Sequence, residues 1–135
     1  MKSKIVISTL IAAFVFASFI GCTLGPVEIE EITVCKNVDS NYEPIDSTYI
    51  FPLETTVIYL TIKVNNFTPQ NKLSVTLIYL ETNNEIAKKE NIPEKSGSGY
   101  QTFEFKYNKG FPSGRYNAMV YLNNELIETV EFSVE

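Results

Sequence analysis

The 135-residue sequence predicts an all-β protein, an antiparallel β-sandwich of seven or eight strands that follows an N-terminal signal helix. Three observations predict it. From residue 28 onward the chain is a series of short runs rich in β-branched and aromatic residues, broken by Asn, Gly and Pro. Within the clearest runs apolar and polar residues alternate, as Ile58, Leu60, Ile62 and Val64 do against Thr61 and Lys63. No run after residue 28 carries apolar residues at helical spacing over a useful length. The expected organisation is a signal peptide over 1–21, a tether over 22–27 and one sandwich domain over 28–135.

The N-terminal element comes first. Met1-Lys2-Ser3-Lys4 is basic, and Ile5 to Ile20 then runs without a charge, a Pro or a Gly. A basic head, an apolar middle and a small residue at the end form the order of a signal peptide. The run is short for a spanning helix, which takes about 20 apolar residues, and the next basic residue is Lys36. It ends in Phe19-Ile20-Gly21-Cys22. That ending resembles the lipobox of prokaryotic lipoproteins, which are cut just before a Cys that carries diacylglyceride and palmitate. Gly21 matches the small residue before the cut and Cys22 the lipid acceptor, while Phe19 and Ile20 depart from the commoner Leu and Ala or Ser. The resemblance implies lipidation at Cys22, a cell-membrane or envelope location and a domain held outside the cytoplasm. From the residues alone, two alternatives stand beside it. One is an uncleaved anchor helix; the other is a secreted chain with a Cys22–Cys35 disulfide.

Gly25 and Pro26 in the tether discourage regular structure. The first expected strand, Glu28 to Lys36, carries Ile29, Ile32 and Val34 with a spacing irregularity that a bulge would absorb. Residues 41–51 read as loop ending in a short strand at Thr48 to Phe51. Residues 56–67 form the clearest strand, and 72–81 follow with Leu73, Val75, Leu77 and Tyr79 alternating against Ser74 and Thr76. Asn83-Asn84 is placed as a two-residue hairpin, because Asn tolerates positive φ. The returning run, Glu85 to Asn91, is polar and lysine-bearing, as edge strands are, and is the candidate edge for pairing with another chain. Ser96 to Gly99 reads as a flexible connection into residues 100–108, where Phe103 and Phe105 alternate with polar neighbours. Arg115 to Leu122 and Glu125 to Val134 close the domain through a second hairpin at Asn123-Asn124.

Pro112 to Val120 reads Pro-x-Gly-x-Tyr-x-Ala-x-Val. It resembles the approach to the penultimate strand of immunoglobulin-like and fibronectin type III-like sandwiches. By that resemblance Tyr116 is a tyrosine corner, bonded to backbone near the turn, and Ala118 stands at the place of the second core cysteine. The chain has no Trp and Ala118 cannot bridge, which excludes an antibody-type domain.

Composition narrows function. The chain has no His, so base-assisted acyl transfer and His-ligated metal sites lack their usual groups. No G-x-S-x-G occurs, so no catalytic residue, cofactor or metal is assigned. The net charge of −5, more negative once Lys2 and Lys4 leave, disfavours nucleic acid. Cys35 reads as a small buried strand residue, with no His to activate it. Three weaker patterns remain. Asp39, Asn41, Glu43 and Asp46 share one loop as a calcium candidate without the spacing of a calcium loop. Tyr100, Tyr107, Phe111 and Tyr121 are candidates for an exposed aromatic platform. Asn66-Phe67-Thr68 fits a glycosylation acceptor.

The expected function is therefore display of a binding module on the envelope. The membrane is met through lipid on Cys22, and the partner is an envelope protein or an extracellular ligand. Two alternatives are a structural accessory subunit of an envelope complex and a carboxylate-based polysaccharide enzyme, with Glu28, Glu30 and Glu31 as acids.

Overall fold

A computed structural model describes residues 25–135, so the signal helix and the Phe19–Cys22 stretch lie outside the described residues. Nine strands follow one another: β1 (Glu28–Val38), β2 (Pro44–Ser47), β3 (Ile50–Phe51), β4 (Val57–Phe67), β5 (Leu73–Tyr79), β6 (Asn84–Asn91), β7 (Gly97–Lys106), β8 (Gly114–Leu122) and β9 (Glu125–Val134). They form a four-stranded sheet, β2-β1-β4-β7, and a five-stranded sheet, β3-β9-β8-β5-β6. The described chain is all-β and immunoglobulin-like in architecture.

Alternation along each strand decides which face goes inward. Ile58, Leu60, Ile62 and Val64 of β4 with Phe103 and Phe105 of β7 meet Leu73, Val75 and Leu77 of β5 with Tyr116, Ala118 and Val120 of β8. Val130, Phe132 and Val134 of β9 complete that layer. Without Trp, the end of the core nearest the β7–β8 loop is filled by an aromatic cluster. Tyr116 and Phe132, a cross-strand pair, stack at 5.1 Å, with Tyr79 at 5.0 Å and Phe111 edge-on at 6.1 Å from Tyr116.

Several expectations are corrected. The strand count is nine, because β2 is a brief piece cut from what reads as loop; the short strand expected at Thr48 to Phe51 is β3, and it runs parallel to β9, the one parallel pairing among the described strands. A four-residue strand such as β2 carries no periodicity to detect. Asn83-Asn84 is not a two-residue hairpin. Tyr79 pairs with Asn84, leaving a four-residue loop over 80–83 in which Asn83 takes the positive φ of 57°. Gly97 to Gly99 belongs to β7 rather than to a flexible link. There the ring of Phe67 packs over Gly97, whose added Cβ would lie 3.6 Å away, and Ser98 Oγ accepts the Asn66 N–H at 2.9 Å.

Other features follow the pattern. β1 is bulged between Ile29 and Glu31. Asn123 and Asn124 form a two-residue turn at φ 52° and 72°, with Leu122 paired to Glu125. β6 is an edge strand. Its Lys89 ammonium donates to the Glu104 carbonyl of β7 at 2.5 Å, and Asn91 Nδ2 donates to Gln101 Oε1 at 2.5 Å. These two bonds close the side of the sandwich where β6 and β7 stand opposite.

Candidate functional site

Along β5 the outward residues are Ser74, Thr76 and Ile78, and the strand is flanked by β8 and β6. The register sets Ser74 beside Tyr121 and Glu90, Thr76 beside Met119 and Lys88, and Ile78 beside Asn117 and Glu85. Small hydroxyl residues on the middle strand with larger ones on both sides produce a trough. Its volume is about 350 Å³, with Ser74, Thr76 and Ile78 as floor and Met119, Tyr121, Asn124, Glu85 and Lys88 as walls. Ser74 and Thr76 are only 3% and 7% exposed although they face outward. Both side chains line the cavity, so their hydroxyls are presented to whatever fills the trough.

Other cavities are less suited. One of about 430 Å³ beside the end of β9 is lined by Arg115, Glu131, Ser133 and Glu135. Its Arg115 side chain is already paired with Glu81 at 3.3 Å. The Arg115 N–H and guanidinium hold the Glu81 carboxyl below its usual range, the opposite of what a proton-donating acid needs.

The residues singled out in the sequence are dispersed. Tyr116 is fully buried, and its hydroxyl donates to the Pro112 carbonyl. Tyr79, which the sequence pattern marks only as a strand residue, does the same to Ser113 at 2.6 Å, so two phenols grip consecutive carbonyls before β8. Burial, with Tyr79 and Tyr107 nearby, pushes the Tyr116 phenol well above its ordinary pKa. Ala118 lies in the core. Burial likewise raises the Cys35 thiol, which sits fully enclosed between Tyr59 of β4 and Ser47 of β2.

The aromatic platform does not form. Tyr100 lies on β7, Tyr121 on β8 of the other sheet, Tyr107 in the β7–β8 loop, and Phe111 is buried. The calcium candidate dissolves too. Asp39 Oδ1 accepts the N–H groups of Asn41 and Glu43 at 2.8 and 3.0 Å, and no cluster of three or more acids suited to a metal occurs among the described residues. Asn66 Nδ2, the atom a glycan would occupy, donates to the Pro26 carbonyl at 3.3 Å. Glu30 is held by Asn65 and Lys63 on the sheet surface.

No family model matches the chain, and no curated protein matches it. Solved structures do. The chain is similar to an immunoglobulin-like protein from Pseudomonas aeruginosa at 17% identity and a TM-score of 0.55, over 84% of this chain and 100% of that one. It is similar to the C-terminal domain of Wzt at 10% identity and a TM-score of 0.51, over 82% of this chain and 74% of that one. A third likeness is to the Pseudomonas fluorescens alkylpurine DNA glycosylase AlkC, at 17% identity and a TM-score of 0.50; it covers 81% of this chain but 30% of the enzyme. At such identities the likeness defines a fold and nothing finer. The fold is an immunoglobulin-like β-sandwich.

Proposed function

We propose that the protein is a prokaryotic envelope lipoprotein, cut before Cys22 and anchored there by diacylglyceride and palmitate. Its sandwich binds an extended extracytoplasmic ligand in the trough along β5. The observation that carries the binding half is the trough itself, a cavity of about 350 Å³ with the small hydroxyl residues Ser74 and Thr76 on its floor between taller walls. Each hydroxyl can donate one hydrogen bond and accept others, so a ligand lying along the trough finds polar partners on the floor.

The anchoring half rests on the Gly21-Cys22 junction. Val27 already packs against the core, so the five residues after Cys22 reach at most roughly 18 Å. The domain would sit close to the bilayer. Its trough runs from Asn124, at the end where the chain enters, to Glu85 at the far end. In this reading the protein binds and holds; it performs no chemistry, and its acidic charge keeps nucleic acid away.

The test joins both halves. Intact masses from detergent-extracted membranes are compared for wild type and Cys22→Ala, and a photo-crosslinking residue is placed at Met119 or, as control, at Lys63 on the other sheet. The expected result is a lipidated chain beginning at residue 22, lost in the variant, and crosslinks from position 119 only. An unmodified chain sinks the anchor, and equal crosslinking from both positions sinks the trough.

A further inference from the structure

We propose a second binding site, independent of the trough, that takes a neutral saccharide between the tip of the β1–β2 hairpin and the edge of β7. The cavity there is about 320 Å³ and is lined by Tyr42, Asn91, Tyr100, Gln101 and Thr102. That volume lies at the small end of ligand pockets, which run roughly 300–1,000 Å³, and suits one or two sugar rings.

The lining is unusual in this molecule for carrying no charge. The trough has Glu85 and Lys88, the cavity by β9 has Arg115 and two glutamates, and the cavity in the β7–β8 loop has Lys109. A pyranose ring has apolar C–H faces and a rim of hydroxyls that each donate and accept. Two phenol rings and a set of amides match both features. Asn91 Nδ2 donates to Gln101 Oε1, which leaves Asn91 Oδ1 as an acceptor and Gln101 Nε2 as a donor, side by side and unpartnered among the described residues. An anionic ligand would meet no cation among the lining residues, the Lys63 ammonium beside Tyr100 being already paired with Glu30 at 3.8 Å, and a purely apolar one would strand the amides.

The aromatic at the lip is held in place at a conformational cost. Tyr42 has φ 66°, a region that bulky side chains rarely occupy, yet its side is more than half exposed. Nothing in the core gains from that placement. The backbone enforces it: the Tyr42 N–H donates to the Asp39 carbonyl at 3.0 Å, and its own carbonyl accepts from Thr102 Oγ1 at 3.4 Å. Tyr100 is steadied from β4, where the Lys63 ammonium stands 5.9 Å from its ring centroid. Strained, exposed and clamped to β7, Tyr42 is arranged to meet something outside the chain.

The test uses the full chain in a non-glycosidic detergent. Calorimetry and saturation-transfer NMR are run with cellotriose, chitotriose and mannotriose, with a sialylated trisaccharide and a polyproline peptide alongside. At least one neutral trisaccharide should bind at millimolar concentration or tighter, with saturation passing to its ring protons. Tyr42→Gly and Tyr100→Ala should each weaken it about tenfold or more, while Ser74→Val leaves it unchanged. Tyr42→Gly also relieves the backbone, so its thermal midpoint should hold or rise and lost binding cannot be blamed on unfolding. Silence from all three neutral sugars, indifference to both tyrosine variants, or preference for the acidic sugar or the peptide overturns the proposal.

Discussion

Tyr116 shows how much a single side chain organises. It buries a full aromatic ring, stacks on Phe132 and closes the turn before β8 through its hydroxyl. Tyr116→Phe keeps the ring but orphans the Pro112 carbonyl, and should cost about 1–3 kcal/mol in denaturant unfolding. The phenol also sets an alkaline limit. Its folded pKa is raised, so the proton is held more tightly in the native state than in the unfolded chain. The stability this contributes is complete below the unfolded tyrosine pKa, about 10, and is lost as pH rises through the folded value. Stability should therefore fall above pH about 10, and less steeply in Tyr116→Phe; equal slopes in a pH series of melts would refute the assignment. Thr61 makes the opposite case. Its Oγ1 is buried on the outer face of β4 with no partner among the described residues, between Thr33 and Thr102. Thr61→Val should stabilise by up to about 1 kcal/mol, because it removes a desolvated hydroxyl that earns no bond.

The turns hold the strands in register. Before β8, Gly114 has φ 139°, and a Cβ on it would stand 2.6 Å from Glu81 Cγ and 2.9 Å from Tyr79 Cε1. Gly114→Ala should displace both the Glu81–Arg115 clip and the Tyr79–Ser113 bond, costing about 1–3 kcal/mol by thermal melt. At the other end, Asn123 joins the β8–β9 turn to the start of β5. Its N–H donates to the Lys72 carbonyl and its Oδ1 accepts the Lys72 N–H, both at 2.8 Å. Asn123→Ala loses the side-chain bond and strains a φ of 52°, so a loss of about 1–2 kcal/mol is expected. Asn123→Gly should lose less, since the backbone strain is absent. The element order was largely legible: β1, β4, β5, β8 and β9 stand where alternation places them, because each buries one face. The pieces that were not legible, β2 and the first residues of β7, owe their strand state to a neighbour's backbone or to the Phe67 ring rather than to their own pattern.

For the molecule as a whole, sandwich topology joins strands distant in sequence, such as β4 with β7 and β5 with β8. Folding of the sandwich domain should accordingly be slow for its size, in milliseconds to seconds by stopped flow, and a microsecond phase carrying the full amplitude would contradict it. What the sequence by itself determined was the class: a short apolar N-terminal run ending in Gly-Cys, then β-strands with one buried face, no His and no charge cluster for nucleic acid. Those properties are written in composition and in periods of two. The sites were decided by tertiary structure alone. Ser74 and Thr76 read as ordinary solvent-facing residues until β8 and β6 raise walls on both sides of β5. Tyr42 reads as loop until the hairpin tip is clamped to β7, 60 residues further along the chain. A strand's pattern records which face is buried, but not which strands flank it, and a cavity is made by the flanking.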